Sequence, residues 1–155
     1  TVDDLETTLH AMQDKIDTLK NSASAKQVRI KELDGLLRMV DYYKSGKPAA
    51  DKLKSIRFEK SRQKYKAEHD NELRTFYMAE RKLKPHFKDG KVPIAAWRKE
   101  RAQLDQEYRD IQTELSPLHA DAKKLWAIHY NIYEVQHEQE RQNTATRQKK
   151  SEIEH

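Results

Sequence analysis

The chain has 155 residues, of which 37% are charged and 35% hydrophobic, with a mean hydropathy of −1.12 and a formal net charge of +5. It contains no Cys, three Gly and four Pro, which excludes a disulfide framework and cysteine-based metal or thiol chemistry, and leaves too few turn residues for a sheet protein. No apolar run approaches the ~18 residues of a membrane span and no signal-peptide core opens the chain, so neither a membrane partner nor export is expected. The sequence starts at Thr1 and is read as a piece of a longer protein.

The first segment is strongly periodic. Val2, Leu5, Leu9, Met12, Ile16, Leu19, Ala23, Lys26, Ile30, Leu33, Leu37 and Val40 step by 3 and 4 in strict alternation, and only Lys26 breaks the apolar rule. A seam of this kind lies along one helix face and needs a partner helix to cover it. A helix over about 2–43 would be roughly 60 Å long. The small residues Asn21–Ala25 thin its middle, and Gly35 sits off the seam. The spacing leaves open whether the seam closes on another helix of the same chain or on a second copy as a homodimer.

Ser45-Gly46-Lys47-Pro48 reads as a helix stop and restart, since Gly suits the position after a helix and Pro the first turn of the next. A second helical stretch is predicted over 48–84, with a bend near Ser55–Ser61, ending at Pro85. Asp89-Gly90 marks a turn. A third helix is predicted over 93–140. Its seam is Ile94, Trp97, Arg101, Leu104, Tyr108, Ile111, Leu115, Leu118, Ala122, Leu125, His129 and Ile132, again in steps of 3 and 4. Pro117 lies inside it and should kink rather than end it. Leu125–Val135 is apolar on more than one face, so it should touch two neighbours and mark the thickest core. Residues 142–155 are polar and are expected to be a frayed or disordered tail. The fold class is all-α: an elongated antiparallel helical hairpin or a three-helix coiled-coil bundle, with residues 1–141 as one helical domain.

Charge is uneven. Residues 44–66 hold nine basic and two acidic groups, and residues 81–101 hold eight basic and two acidic. Such local excess attracts phosphates. The candidate nucleic-acid-binding residues are Lys52, Lys54, Arg57, Lys60, Arg62, Lys64 and Lys66 in the first block, and Arg81, Lys82, Lys84, Lys88, Lys91, Arg98 and Lys99 in the second. The competing interpretation is a solvated helix face. The blocks would form one surface only if the second helix breaks and folds back. The interleaved aromatics Tyr42, Tyr43, Phe58, Tyr65, Phe87 and Trp97 fit a helical core better than a base-stacking platform.

No catalytic constellation is found. Glu134-Val-Gln-His137 resembles half of a di-iron site but has no second Glu-x-x-His. His69 and Glu72 suit a helical ion pair. His129, on the seam, suits a hydrogen-bonded core position. There is no Gly-rich phosphate loop and no nucleophile elbow. The chain is therefore read as non-enzymatic, with no metal and no cofactor.

One stretch resembles a known family. Ile56-Arg57-Phe58, Lys64-Tyr65-Lys66-Ala67-Glu68-His69-Asp70-Asn71-Glu72-Leu73, Phe76, Ala79 and Leu83, then Lys91-Val92-Pro93 and Trp97-Arg98-Lys99-Glu100-Arg101-Ala102-Gln103-Leu104, followed by the Leu125–Val135 run, are similar to the helical C-terminal region of mobilisation relaxases from conjugative elements and mobilisable plasmids of Gram-positive bacteria. The resemblance covers roughly residues 50–136 and its motifs are unspecific. It implies a parent protein that nicks DNA with a tyrosine and a histidine-bound metal, none of which maps onto this chain. It also implies an accessory arm in the bacterial cytoplasm that binds origin DNA, a relaxosome partner or the coupling protein. The alternative is a generic coiled-coil interaction or spacer module without nucleic-acid binding.

Overall fold

The computed structural model describes residues 1–154, with side chains through Ile153. Four α-helices and one 3-10 turn carry the chain: α1 Val2–Ser55, α2 Glu59–Glu68, α3 Asp70–Leu83, the 3-10 turn Lys84–His86, and α4 Ile94–Glu154. The fold is all-α, and α1 and α4 pack against each other. No helix among the described residues is long and apolar enough to cross a membrane.

The heptads set the packing. All twelve seam positions predicted on α1 and all twelve on α4 are buried or half-buried. The α1 seam is thus covered by α4 of the same chain, and a second copy would have to displace α4 to use it.

The chain divides into two compact units, Thr1–Ala23 with Arg109–His155, and Ser24–Tyr108. In the first unit, Thr1 caps α1: its hydroxyl donates to Asp4 Oδ2 at 2.8 Å and accepts the Asp4 amide at 3.3 Å. Leu9, Ile16 and Ala23 of α1 and Ile111, Leu115 and Ala122 of α4 are its buried apolar side chains. Lys15 pairs with Glu114 at 3.4 Å, and His129 meets Glu6 at 3.0 Å. Helix α4 runs on through Pro117 and through residues 142–154, so the expected frayed or disordered tail is helical as far as Glu154, with exposed side chains. His155 lies outside the described residues.

The Leu125–Val135 stretch overturns its expectation. Only the seam residues Leu125, His129 and Ile132 are half-buried. Trp126 is 42% exposed, Ile128 49%, Tyr130 61%, Tyr133 51% and Val135 58%. One covering helix shields one stripe, so this run presents exposed apolar surface and is not the thickest core.

In the second unit, α1 does not stop at Gly46-Pro48 but continues to Ser55. The reason is the approach of α3. A Cβ on Gly46 would lie 2.6 Å from Phe76 Cβ and 3.0 Å from the Glu72 carbonyl oxygen. Gly46 is therefore a close-contact glycine, needed for its missing side chain rather than for an end-of-helix conformation. Ala49, Ala50 and Leu53 beyond it are buried with Leu73 and Phe76 of α3, and this burial offsets the backbone hydrogen bond lost at Pro48. The expected bend falls at Ile56–Phe58, and a second interruption at His69 separates α2 from α3.

Helix α3 buries Leu73, Phe76, Ala79 and Leu83. Its start meets Leu53 and its end joins Leu33, Val40 and Trp97, so it runs antiparallel to α1. Tyr43 links the two clusters, stacking on Phe76 at 4.9 Å and tilting against Phe87 at 5.9 Å. Lys88 and Lys91 exchange backbone hydrogen bonds of 2.8 and 3.0 Å around Asp89 (φ 52°) and Gly90 (φ 74°). Positive φ at both central residues is the type I′ hairpin geometry that Asp-Gly favours.

Candidate nucleic-acid interface

All fourteen candidate cations lie in the unit Ser24–Tyr108. Lys52 and Lys54 occupy the last turn of α1, Arg57 the break, and Lys60, Arg62, Lys64 and Lys66 lie on α2. Arg81 and Lys82 end α3, Lys84 opens the 3-10 turn, Lys88 and Lys91 flank the hairpin, and Arg98 and Lys99 follow Trp97 on α4. Thirteen are exposed and Arg62 is half-buried. The second helical stretch does break and fold back, which was the condition for the two blocks to approach each other.

Local sequence explains the placement. Helix α2 has no buried residue, being almost wholly polar, and is held by Tyr65, which packs on the Ala49–Phe76 cluster. The Lys52 ammonium lies 5.5 Å from the Tyr65 ring centre, so the ring ties α2 to the end of α1. Phe87 and Val92 pack into the Leu33–Trp97 cluster and fix the Lys88–Lys91 hairpin.

A groove of about 530 Å³ along α3 brings the blocks together at one point. Lys66 of the first block and Arg81 of the second line it, with Asp70, Arg74 and Tyr77 between them and Leu53 and Leu73 at its floor. Asp70 is paired with Arg74 at 3.1 Å, so the groove keeps a net positive charge. A second groove of about 450 Å³ joins Arg29, Arg38 and Lys82 with Glu32 and His86. The other eleven candidates, Lys52, Lys54, Arg57, Lys60, Arg62, Lys64, Lys84, Lys88, Lys91, Arg98 and Lys99, line neither groove.

Arg74 and Arg38 were missed by the sequence. Arg74 lies in a locally acidic stretch, and Arg38 is 44 positions from its groove neighbour Lys82. Only the antiparallel return of α3 brings them in. Of the aromatics, Tyr43, Tyr65, Phe87 and Trp97 are core, while Tyr42 and Phe58 are exposed.

Three cations of this unit are neutralised across the α1–α4 pair, Lys26 to Glu107 at 2.9 Å, Arg29 to Glu100 at 2.7 Å, and Arg101 to Asp34, while Lys47 and Arg74 pair within their own helices with Asp51 at 3.9 Å and Asp70 at 3.1 Å. The Arg29 hydrogen bond holds the Glu100 carboxyl below its ordinary value, and the Lys26 and Gln103 hydrogen bonds do the same for Glu107. By contrast, among the described residues none of the fourteen candidate cations forms an ion pair with a carboxylate.

Elsewhere, His69 Nδ1 lies 3.6 Å from Glu72, and His137 Nδ1 lies 3.8 Å from Glu140. Among the described residues no three His, Asp or Glu side chains are grouped to hold a metal ion. No protein-family model, curated protein or solved structure matches this chain.

Proposed function

We propose that the unit Ser24–Tyr108 is a non-catalytic nucleic-acid-binding module, an accessory region of a DNA-mobilisation protein of the relaxase type acting in the bacterial cytoplasm. The observation that carries it is the contrast between Lys26, Arg29 and Arg101, neutralised across the α1–α4 pair, and the fourteen candidate cations around α2, α3 and the hairpin, none of which pairs with a carboxylate among the described residues. A phosphate backbone supplies the missing counter-charge, and the release of its condensed counterions provides the driving force. The Lys66–Arg74–Arg81 groove is the centre of the contact, with α2 and the hairpin on either side. The mobilisation setting rests on the resemblance described above.

The test is fluorescence anisotropy with single- and double-stranded DNA over a salt series. Duplex affinity should fall with salt at a log–log slope of about −0.9 per phosphate neutralised. Lys66→Glu with Arg81→Glu should lower the affinity and flatten the slope by about two contacts. Absence of binding at low salt, or a slope untouched by the double reversal, overturns the proposal.

A second reading, a protein-interaction module whose partner is a relaxosome or coupling protein, is favoured by the exposed apolar residues Trp126–Val135 on α4. It predicts partner binding that survives charge reversal in α2.

A further inference from the structure

The exposed residues of α4 form a pattern of their own. Lys123, Trp126, Tyr130, Tyr133, His137 and Glu140 step by 3, 4, 3, 4 and 3, which is a second heptad seam. At about 100° per residue it is centred roughly 100° around the helix from the Leu125–His129–Ile132 seam that α1 covers. Five of these six side chains are exposed, and His137 is half-buried against Tyr133, its ring centre 4.2 Å away.

This second seam reads the same in both directions. Laid antiparallel on itself about the midpoint between Asn131 and Ile132, it places Lys123 opposite Glu140, Trp126 opposite His137 and Tyr130 opposite Tyr133. A cation thus meets an anion at each end, with an aromatic centre between them. Self-complementarity of this kind is what a two-fold isologous interface requires. Lys123 has no carboxylate partner among the described residues, and Glu140 meets only the His137 imidazole at 3.8 Å. The flanking stripe of Ile128 and Val135 would set Lys124 against Gln139 in the same register and lacks the charge match.

We propose that α4 docks on α4 of a second copy of this chain, antiparallel, through Lys123–Glu140. This interface differs from the α1 seam, which α4 already fills, and it is independent of the nucleic-acid reading.

Sedimentation equilibrium of the full 155-residue chain over a micromolar series tests it. The expected species has twice the 18.4 kDa chain mass. Lys123→Glu alone and Glu140→Lys alone should each weaken association by about tenfold, because a symmetric dimer contains the pair twice and reversal turns attraction into repulsion. Lys123→Glu with Glu140→Lys should restore it, and Tyr130→Glu should abolish it. These side chains are exposed, so the far-ultraviolet helical signal should be unchanged in every variant. A chain monomeric at all concentrations overturns the proposal. So does a dimer indifferent to the single reversals, or a double swap that fails to recover.

Discussion

Gly35 and Gly46 lie eleven positions apart in α1, and alanine at the two should shift stability in opposite directions. In a helix interior Gly is about 1 kcal/mol less favourable than Ala, so the backbone favours both substitutions. At Gly35 a Cβ meets nothing within 4 Å, and the full gain of roughly 0.5–1 kcal/mol should appear. At Gly46 the new Cβ would lie 2.6 Å from Phe76 Cβ and 3.0 Å from the Glu72 carbonyl oxygen. Carbon–carbon contacts are optimal near ~3.5–4.0 Å, so α3 must retreat by about 1 Å. Both obstructing atoms lie on or next to the α3 backbone, and no side-chain rotation clears them. Retreat loosens Leu73 and Phe76 from Ala49, Ala50 and Leu53, at an overpacking cost of about 1–3 kcal/mol. The net expectation for Gly46→Ala is a loss of up to about 2 kcal/mol after the helix gain is subtracted. Urea titration followed by helical ellipticity reads both variants, and amide exchange on α3 should quicken in Gly46→Ala alone. Equal stabilisation by the two substitutions would refute the close-approach argument.

Two further outcomes are expected. Pro48→Ala should stabilise the chain by about 1–3 kcal/mol in the same titration, because it restores an amide donor inside α1 at an exposed position. Glu100 and Glu107 titrate below their ordinary value of 4.5 when folded, so between the lowered values and 4.5 they bind fewer protons folded than unfolded. Their contribution is present above pH 4.5 and is lost as pH falls through the lowered folded values; Glu100→Gln with Glu107→Gln should therefore flatten the acid limb of a melting-temperature profile.

The heptads were legible because a seam is a one-dimensional pattern, and every position they marked is buried or half-buried. Even the polar exceptions obey it: Lys26 meets Glu107, Arg101 meets Asp34, and His129 meets Glu6. The end of α1 was misread for a geometric reason. Strict alternation after Val40 puts Lys44 and Lys47 on the seam, which looks like an ending. The buried face instead steps from Val40 to Tyr43, Gly46, Ala50 and Leu53, a three-residue shift that turns the face toward α3. Gly46 and Pro48 then gave a false stop, because a glycine selected for close approach and one selected for a left-handed turn are the same letter. The basic blocks were legible as composition, but Arg74 and Arg38 join them only through the return of α3, a long-range contact that local spacing does not encode.

The placement of the uncompensated cations follows from how the two kinds of helix pairing work. A straight heptad pair brings two charged flanks alongside each other at fixed register, so a lysine or arginine on α1 finds a carboxylate on α4. That is the state of Lys26 and Arg29. Where α1 turns its face toward α3, the register is lost, the chain breaks at Ile56–Phe58 and again at His69, and α2 has no buried residue. A short, fully washed helix has no facing flank to neutralise it. Its lysines remain exposed whatever their partners, and their mutual repulsion is tolerated because α2 is tethered mainly by Tyr65. The proposed nucleic-acid contact would supply the counter-charge that the exposed lysines of α2 lack.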